Sequence, residues 1–386
     1  MGTHRSVLPV SQESDLPLSN SRFTVDTWQD RISRAQEEMR KQQVRALILG
    51  PGADLIYLTG FHAHVSERMN LLVLPQEGKP AFVTPLFEAP LLGDDPSALV
   101  DLHTWSDGEN PATIAAGLIG DANPIAVGDA LASMFLIRLQ SQISATWQEA
   151  SPLMRELRMI KDDAEISALQ EAASKTDEAW AEFIDSVTLT GLTELEALKI
   201  LTDLTAKRGI VNIWGICGSG PNSASPHHNA GDRKIQPGDA VVFDWGGQID
   251  GYFSDMTRTV HVGPPSEEFV TCYETVLQAN QAALDAMVPG TPLEQIDIAA
   301  REVIESAGYG EYFLHRLGHG LGLEVHEDPY VVRGNTLPLA PGMVFSDEPG
   351  IYLAGKFGIR IEDIVVATPE GGRRLNHADR TLRIVE

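Results

Sequence analysis

Cysteine is almost missing from this chain: Cys217 and Cys272 are the only two in 386 residues. Two thiols are too few for a disulfide scaffold or a cysteine-rich zinc site, and both read as small buried or half-buried side chains. No apolar run reaches the roughly 20 residues that a membrane-spanning helix needs. Basic residues are scarce, with 29 Lys and Arg against 54 Asp and Glu, a formal charge of −25. That balance excludes a nucleic-acid or anionic-membrane partner, which would require a basic patch. It reads instead as a self-repelling, soluble surface, part of it carboxylates whose charge a bound metal would cancel. The opening MGTHRSVLPVSQESDLPLSN is polar and interrupted by Pro9 and Pro17, so it lacks the continuous apolar segment of a signal peptide. A cytoplasmic protein is expected.

A chain of 386 residues is long for one core and comfortable for two domains, and 43% hydrophobic content allows a sizeable core. Residues 1–22 read as a flexible tail. From 23 to 153 the pattern is α/β: a charged amphipathic helix in TWQDRISRAQEEMRKQQ, then apolar runs VRALILG, ADLIYLTGF, LLVLP and PAFVTP read as strands between Gly/Pro turns. A helical stretch near 111–120, a strand at PIAVG and a helix near 130–143 complete a mixed sheet. From 154 to 386 the pattern is α+β, opening on one long amphipathic helix in SPLMRELRMIKDDAEISALQEAASKTDEAW. Helices at 193–208, 266–287 and 292–307 and strands around 211–217, 240–260 and beyond 310 follow.

Ligand-type residues crowd the last third. In DAVVFDWGGQIDGYFSDMTRTV, Asp244 ends an apolar run and Asp255 lies in what reads as the body of the next strand, with Gly246, Gly247 and Gly251 allowing a reversal between them. Asp near a turn is ordinary, but Asp inside a strand is disfavoured and needs a reason. HRLGHGLGLEVHEDP holds His315, His319 and His326 among glycines that let backbone approach a site. A zincin reading fails, because His326-Glu327 is followed by Asp328, Pro329 and Tyr330. Glu348 precedes a Pro-Gly turn in PGMVFSDEPGIYL. Glu362 sits in GIRIEDIVV, read as one alternating strand with Arg360 on the same face, a pattern that an exposed strand also produces. In GICGSGPNSASPHHNAG the Gly/Ser loop lacks the lysine of a phosphate-binding loop, whereas His227 and His228 remain candidates. Four carboxylates and one imidazole form a hard, oxygen-rich set suited to Mn²⁺ first, with Co²⁺ and Zn²⁺ as alternatives. Two divalent ions sharing carboxylates polarise a carbonyl and supply hydroxide near neutral pH.

Motif by motif these segments resemble the pita-bread metallopeptidases: methionine aminopeptidase, aminopeptidase P and prolidase. YLTGF and LRMIKDDAEI resemble the creatinase-like N-terminal domain and the opening of the catalytic domain in the proline-specific branch. The resemblance covers roughly residues 30–386. It implies a creatinase-like α/β domain followed by an α+β pita-bread domain, hydrolysis of Xaa-Pro bonds, two divalent ions and a homodimer. It makes Asp244, Asp255, His319, Glu348 and Glu362 the ligands, with Asp255 and Glu362 bridging. Glu348 would also handle the proton of the attacking water, while His227 (His228 as the alternative) and His326 act at the reacting centre. His315 and Arg360 would support the ligands from behind. Prolidases often carry Arg four residues after the second histidine; here that position is Tyr330, so a grip on a free carboxylate must come from elsewhere, Arg333 being the nearest arginine. A dipeptidase is favoured by the chain's length, with aminopeptidase P acting on longer peptides as the alternative. A creatinase-like C–N hydrolase or a non-catalytic binding module is more remote, since both lack the full ligand set.

Overall fold

The computed structural model describes residues 22–386, so the expected tail lies outside the described residues except for Arg22, which pairs with Glu171 at 2.5 Å and Asp250 at 3.0 Å. The first strands are apolar at every position because both their faces are covered. Leu47 and Leu49, with Leu72 and Leu74, pack under Trp28, Ile32 and Met39 of the helix Val25–Lys41. Ile48, Leu71 and Val73 face the other way, onto Ala112, Ala115 and Ile119 of the helix Pro111–Ile119. Each leucine buried so completely contributes on the order of 1.5–3 kcal/mol. Six strands form this mixed sheet, in the order Asp101–Trp105, Ala81–Pro85, Leu71–Pro75, Ala46–Leu49, Ile125–Val127, Trp147–Glu149.

One segment of this domain departs from expectation. ADLIYLTGF is not a strand: Ala53–Thr59 is a helix. Its Ile and Tyr suggest β-structure locally, but the i, i+3, i+4 spacing of Leu55, Leu58 and Thr59 buries one helical face. Gly60 ends the helix in the left-handed region (φ 69°), against the Trp28 ring, where a Cβ would meet carbon at 2.1 Å.

The long helix expected from residue 151 is two helices, Ser151–Arg158 and Asp163–Ser186. Lys161 leaves the helical ladder to donate its N–H to Gly342 O at 2.9 Å. Asp162 then restarts the helix through a reciprocal capping box with Glu165. Glu165 also accepts from Tyr252 at 2.8 Å and lies 3.5 Å from Arg31, tying the first helix of the chain to the second half.

That second half has two layers of strands, each backed by two helices. Asp163–Ser186 and Glu194–Ala206 cover a sheet ordered Arg383–Val385, Met256–Val262, Ala240–Ile249, Val211–Ser219. Glu267–Ala286 and Leu293–Ser306 cover a sheet ordered Glu327–Val331, Gly318–Gly320, Val344–Asp347, Asp363–Thr368, Gly371–Arg374.

Two strands read as continuous are interrupted. Ile249 and Tyr252 pair across the two-residue turn Asp250-Gly251, both at positive φ, as a tight hairpin requires. The returning chain then breaks between Tyr252–Phe253 and Met256–Val262, so Asp255 stands at the break and not in a strand body. Ser254 fills the gap, donating its N–H to Gly247 O at 2.7 Å. The approach is so close that a Cβ on Gly246 would sit 1.8 Å from Ser254 O. GIRIEDIVV likewise splits: Phe357–Arg360 pairs with Gly350–Leu353, Asp363–Thr368 joins the larger sheet, and Glu362 lies between them.

Candidate metal centre

Glu362 is placed by an isolated antiparallel bridge to Thr257, which links the two sheets. Thr257 Oγ1 donates to Glu362 Oε2 at 2.6 Å, and Thr257 is the residue opposite Asp244 in the neighbouring strand. Asp255, two residues before Thr257, is therefore carried to the same place. His319 arrives from the other sheet, on Gly318–Gly320, whose flanking glycines accept backbone too near for side chains: a Cβ on Gly318 would lie 1.7 Å from Ser346 O. One ligand atom each from Asp255, His319 and Glu362 falls within 4.8 Å of the others. His319 Nε2 is 3.3 Å from Glu348 Oε1 and 3.7 Å from Asp255 Oδ2. All five sequence candidates are thus brought together, Asp244 through Arg360, which donates to its Oδ2 at 2.5 Å.

The electrostatics of this cluster are those of a cation site. Burial, reinforced by Glu362, Asp244 and Glu348, holds the Asp255 carboxyl well above its usual range. Burial and the same acidic neighbours do so for Glu362. Glu348 is pushed up to about 7 by burial, against the pull of Arg360. His319 is pushed down to about 3, chiefly by burial, and so is neutral. Its Nδ1 lies 3.1 Å from Gly320 O, which fixes the N–H there and turns the Nε2 lone pair toward the carboxylates. Asp244 Oδ1 and Asp255 Oδ1 are buried with no hydrogen-bond partner among the described residues. Acceptors facing acceptors at this range repel unless protons or cations lie between them. Oxygen-rich donors, a neutral imidazole and orphaned carboxylate oxygens fit divalent metal ions.

Supporting side chains surround the cluster. Buried Arg360 donates to Asp244, to Thr257 Oγ1 at 3.0 Å and to Tyr352 at 2.9 Å, so it reaches Glu362 through Thr257. His315 hydrogen-bonds Tyr352 at 2.8 Å and approaches Glu348 no closer than 4.0 Å; burial lowers its pKa to about 4. Ser346 Oγ donates to Glu348 Oε1 at 3.1 Å and accepts the His319 N–H at 3.0 Å. His326 stacks edge-on to His319, ring centroids 4.1 Å apart. Burial first, then the charges of Arg316 and His227, lower its pKa. His227 is exposed on the same side, whereas His228 is held away by Glu194 at 2.8 Å.

His326 and Tyr330 also line a cavity of about 180 Å³ between the two halves of the chain, walled opposite by Asp54, Met154 and Arg158. Arg158 bridges Asp54, Glu324 and Glu327, and Lys161 pairs with Glu327 at 2.8 Å.

Arg333 is not brought to the cluster. Its mostly exposed guanidinium lies 3.8 Å from Glu305, on the helix behind its sheet. Besides Arg360, the arginine whose charge reaches the site is Arg316, over the Tyr330 ring at 4.3 Å, and sequence reasoning passed over it. Thr257 and Ser346 were also missed; small hydroxyls in apolar strands carry no signal until their partners are known.

The profile of metallopeptidase family M24 matches residues 167–369, and that of the creatinase/prolidase N-terminal domain matches residues 31–160. The chain is 38% identical over 374 residues to a probable dipeptidase PepE of Mycobacterium tuberculosis, covering 95% of this chain and 99% of the relative. It is 35% identical over 339 residues to an Xaa-Pro dipeptidase of Lactobacillus helveticus, covering 85% and 92%. The crystal structure of dipeptidase PepE from Mycobacterium ulcerans superposes with a TM-score of 0.89 at 40% identity, over 94% of this chain and 99% of that one. With a creatinase-like α/β domain leading into a pita-bread catalytic domain whose buried acids and histidine converge between two sheets, the chain belongs to metallopeptidase family M24.

Proposed function

We propose that this enzyme is a dinuclear metal-dependent Xaa-Pro dipeptidase that cleaves the bond before a C-terminal proline. The observation that carries the reading is the convergence of Asp255, His319 and Glu362 within 4.8 Å, with Glu348 and Asp244 beside them. Divalent ions bound there supply Lewis-acid polarisation of the scissile carbonyl and acidify water near neutral pH. Mn²⁺ is the ion proposed, because carboxylate oxygens dominate the donor set. Glu348, whose Oε1 lies 3.3 Å from His319 Nε2 at the cluster, is the carboxylate proposed to take a proton from water and return it to the leaving nitrogen. That return matters for a tertiary Xaa-Pro amide, whose nitrogen carries no hydrogen of its own. His326, packed on His319, and exposed His227, whose charge reaches His326, are the side chains suited to meet the developing oxyanion.

The complete ligand set speaks against a creatinase-like C–N hydrolase and against a non-catalytic module. We further propose a cytoplasmic homodimer. The free thiols of Cys217 and Cys272 suit a reducing compartment, and exposed Leu86, Phe87 and Leu91 offer the first domain apolar surface for a second copy.

The deciding measurement is kcat/KM for Ala-Pro, Ala-Pro-amide and Ala-Pro-Ala, with Mn²⁺ supplied and then chelated. A charge-assisted contact to carboxylate is worth about 1.5–3 kcal/mol, so the free dipeptide should be favoured at least about tenfold. Equal or faster cleavage of the amide and tripeptide would install aminopeptidase P instead.

A further inference from the structure

The arginines around the centre are nearly all spoken for. Arg360 is bound to Asp244, Arg158 to three carboxylates, and Arg301 to Asp297 and the Phe313 and His315 carbonyls. Arg316 is the exception. It is half-buried, three residues before His319, and among the described residues its guanidinium has no carboxylate within 4.0 Å and no hydrogen-bond acceptor. Its one partner is the face of Tyr330, 4.3 Å from the ring centroid. Stacking of this kind holds the guanidinium plane while leaving its N–H edge free for a bidentate acceptor.

The placement of the stack is specific. Tyr330 lies directly opposite His319 in the adjoining strand and shares a cavity with His326. The charge of Arg316 reaches His319, His326 and Glu348, depressing each of them after the larger effect of burial on the histidines and against it on the glutamate. A dipeptide with its scissile carbonyl at the cluster ends in a carboxylate one residue further on, roughly 3.5 Å along the chain. That group is a planar anion with two acceptor oxygens, the natural complement of an unpaired guanidinium edge.

We propose that Arg316, held by its stack on Tyr330, is the specificity-determining residue that receives the free C-terminal carboxylate of the substrate. This rests on the dipeptidase reading and deepens it. Tyr330 supplies the platform, and the segment leading into the neighbouring strand Gly318–Gly320 supplies the charge.

The test compares wild type with Arg316→Gln, Arg316→Lys, Tyr330→Phe and Tyr330→Ala, measuring kcat and KM separately for Ala-Pro and Ala-Pro-amide, together with metal content. In wild type the acid is favoured at least about tenfold. Arg316→Gln brings that ratio to about one, mainly through a rise in KM for Ala-Pro of about ten- to hundredfold, with metal content retained. Arg316→Lys keeps part of the preference, Tyr330→Phe keeps most of it, and Tyr330→Ala loses several-fold by freeing the guanidinium. An Arg316→Gln enzyme that retains the wild-type ratio overturns the proposal and leaves the dipeptidase reading standing. Should that variant not fold, an unchanged ratio in Tyr330→Ala overturns it equally. A wild-type enzyme indifferent to the carboxylate overturns both together.

Discussion

Thr257 and Glu362 join the two sheets twice, once by the Glu362 N–H to Thr257 O at 3.1 Å and once by Thr257 Oγ1 to Glu362 Oε2 at 2.6 Å. The same hydroxyl accepts from Arg360 Nε at 3.0 Å, so one small side chain sets the direction of both the carboxylate and the guanidinium that grips Asp244. Thr257→Val preserves shape and removes that hydroxyl. The expected cost is about 1–3 kcal/mol of stability from the under-partnered buried groups, with metal affinity weakened about 10–100-fold. Denaturant titration and isothermal calorimetry with Mn²⁺ check the two effects, and unchanged affinity would show that Thr257 does not orient Glu362.

Asp255→Ala and Glu362→Ala are each expected to abolish turnover and to lower bound metal. Both carboxylates converge with His319 within 4.8 Å and would hold the metal, so losing either removes charge that would balance it. Metal content by mass spectrometry gives a readout that does not depend on activity. Full occupancy with normal turnover in either variant would remove these residues from the centre.

His326→Ala should keep its metal and lose most of its turnover, with the defect in kcat and little change in KM. Its ring packs on His319 from the open side and hydrogen-bonds none of the acids. Loss of both ions in this variant would mean that the roles of His319 and His326 are exchanged.

Chelation makes stability depend on pH in a definite direction. In the metal-free protein Asp255, Glu348 and Glu362 carry pKa values raised above their ordinary 3.8 and 4.5 by burial first and then by acidic neighbours, Asp244 acting on all three. The folded state then binds more protons than the unfolded one, so stability falls as pH rises from about 4 through the Glu348 value of about 7. Melting temperature of the chelated protein should drop across that window, and Mn²⁺ should restore it most at the alkaline end. A melting temperature flat or rising with pH from 4 to 7 would contradict the burial and acidic crowding assigned to these carboxyls.

Much of this protein was legible in its residues taken in order. The first sheet's apolar runs and the glycine-permitted reversal between Asp244 and Asp255 act over a few neighbours, and local sterics decide them. The chemical types of Asp244, Asp255, His319, Glu348 and Glu362 also declared a hard metal set, because donor chemistry does not depend on fold. Tertiary structure alone decided where those donors stand. Glu362 looked like a residue in one continuous strand, yet it sits at a crossing made by Thr257, more than a hundred residues away. ADLIYLT became a helix because Trp28 and the sheet cover one helical face of it, a burial invisible to local propensity. Whether an arginine is spent or available was likewise beyond the sequence: Glu305 engages Arg333, while among the described residues only the ring of Tyr330 engages the Arg316 guanidinium. Local patterns encode the elements and the chemistry on offer, whereas the unpaired charge left facing a site depends on which distant groups the fold has already brought together.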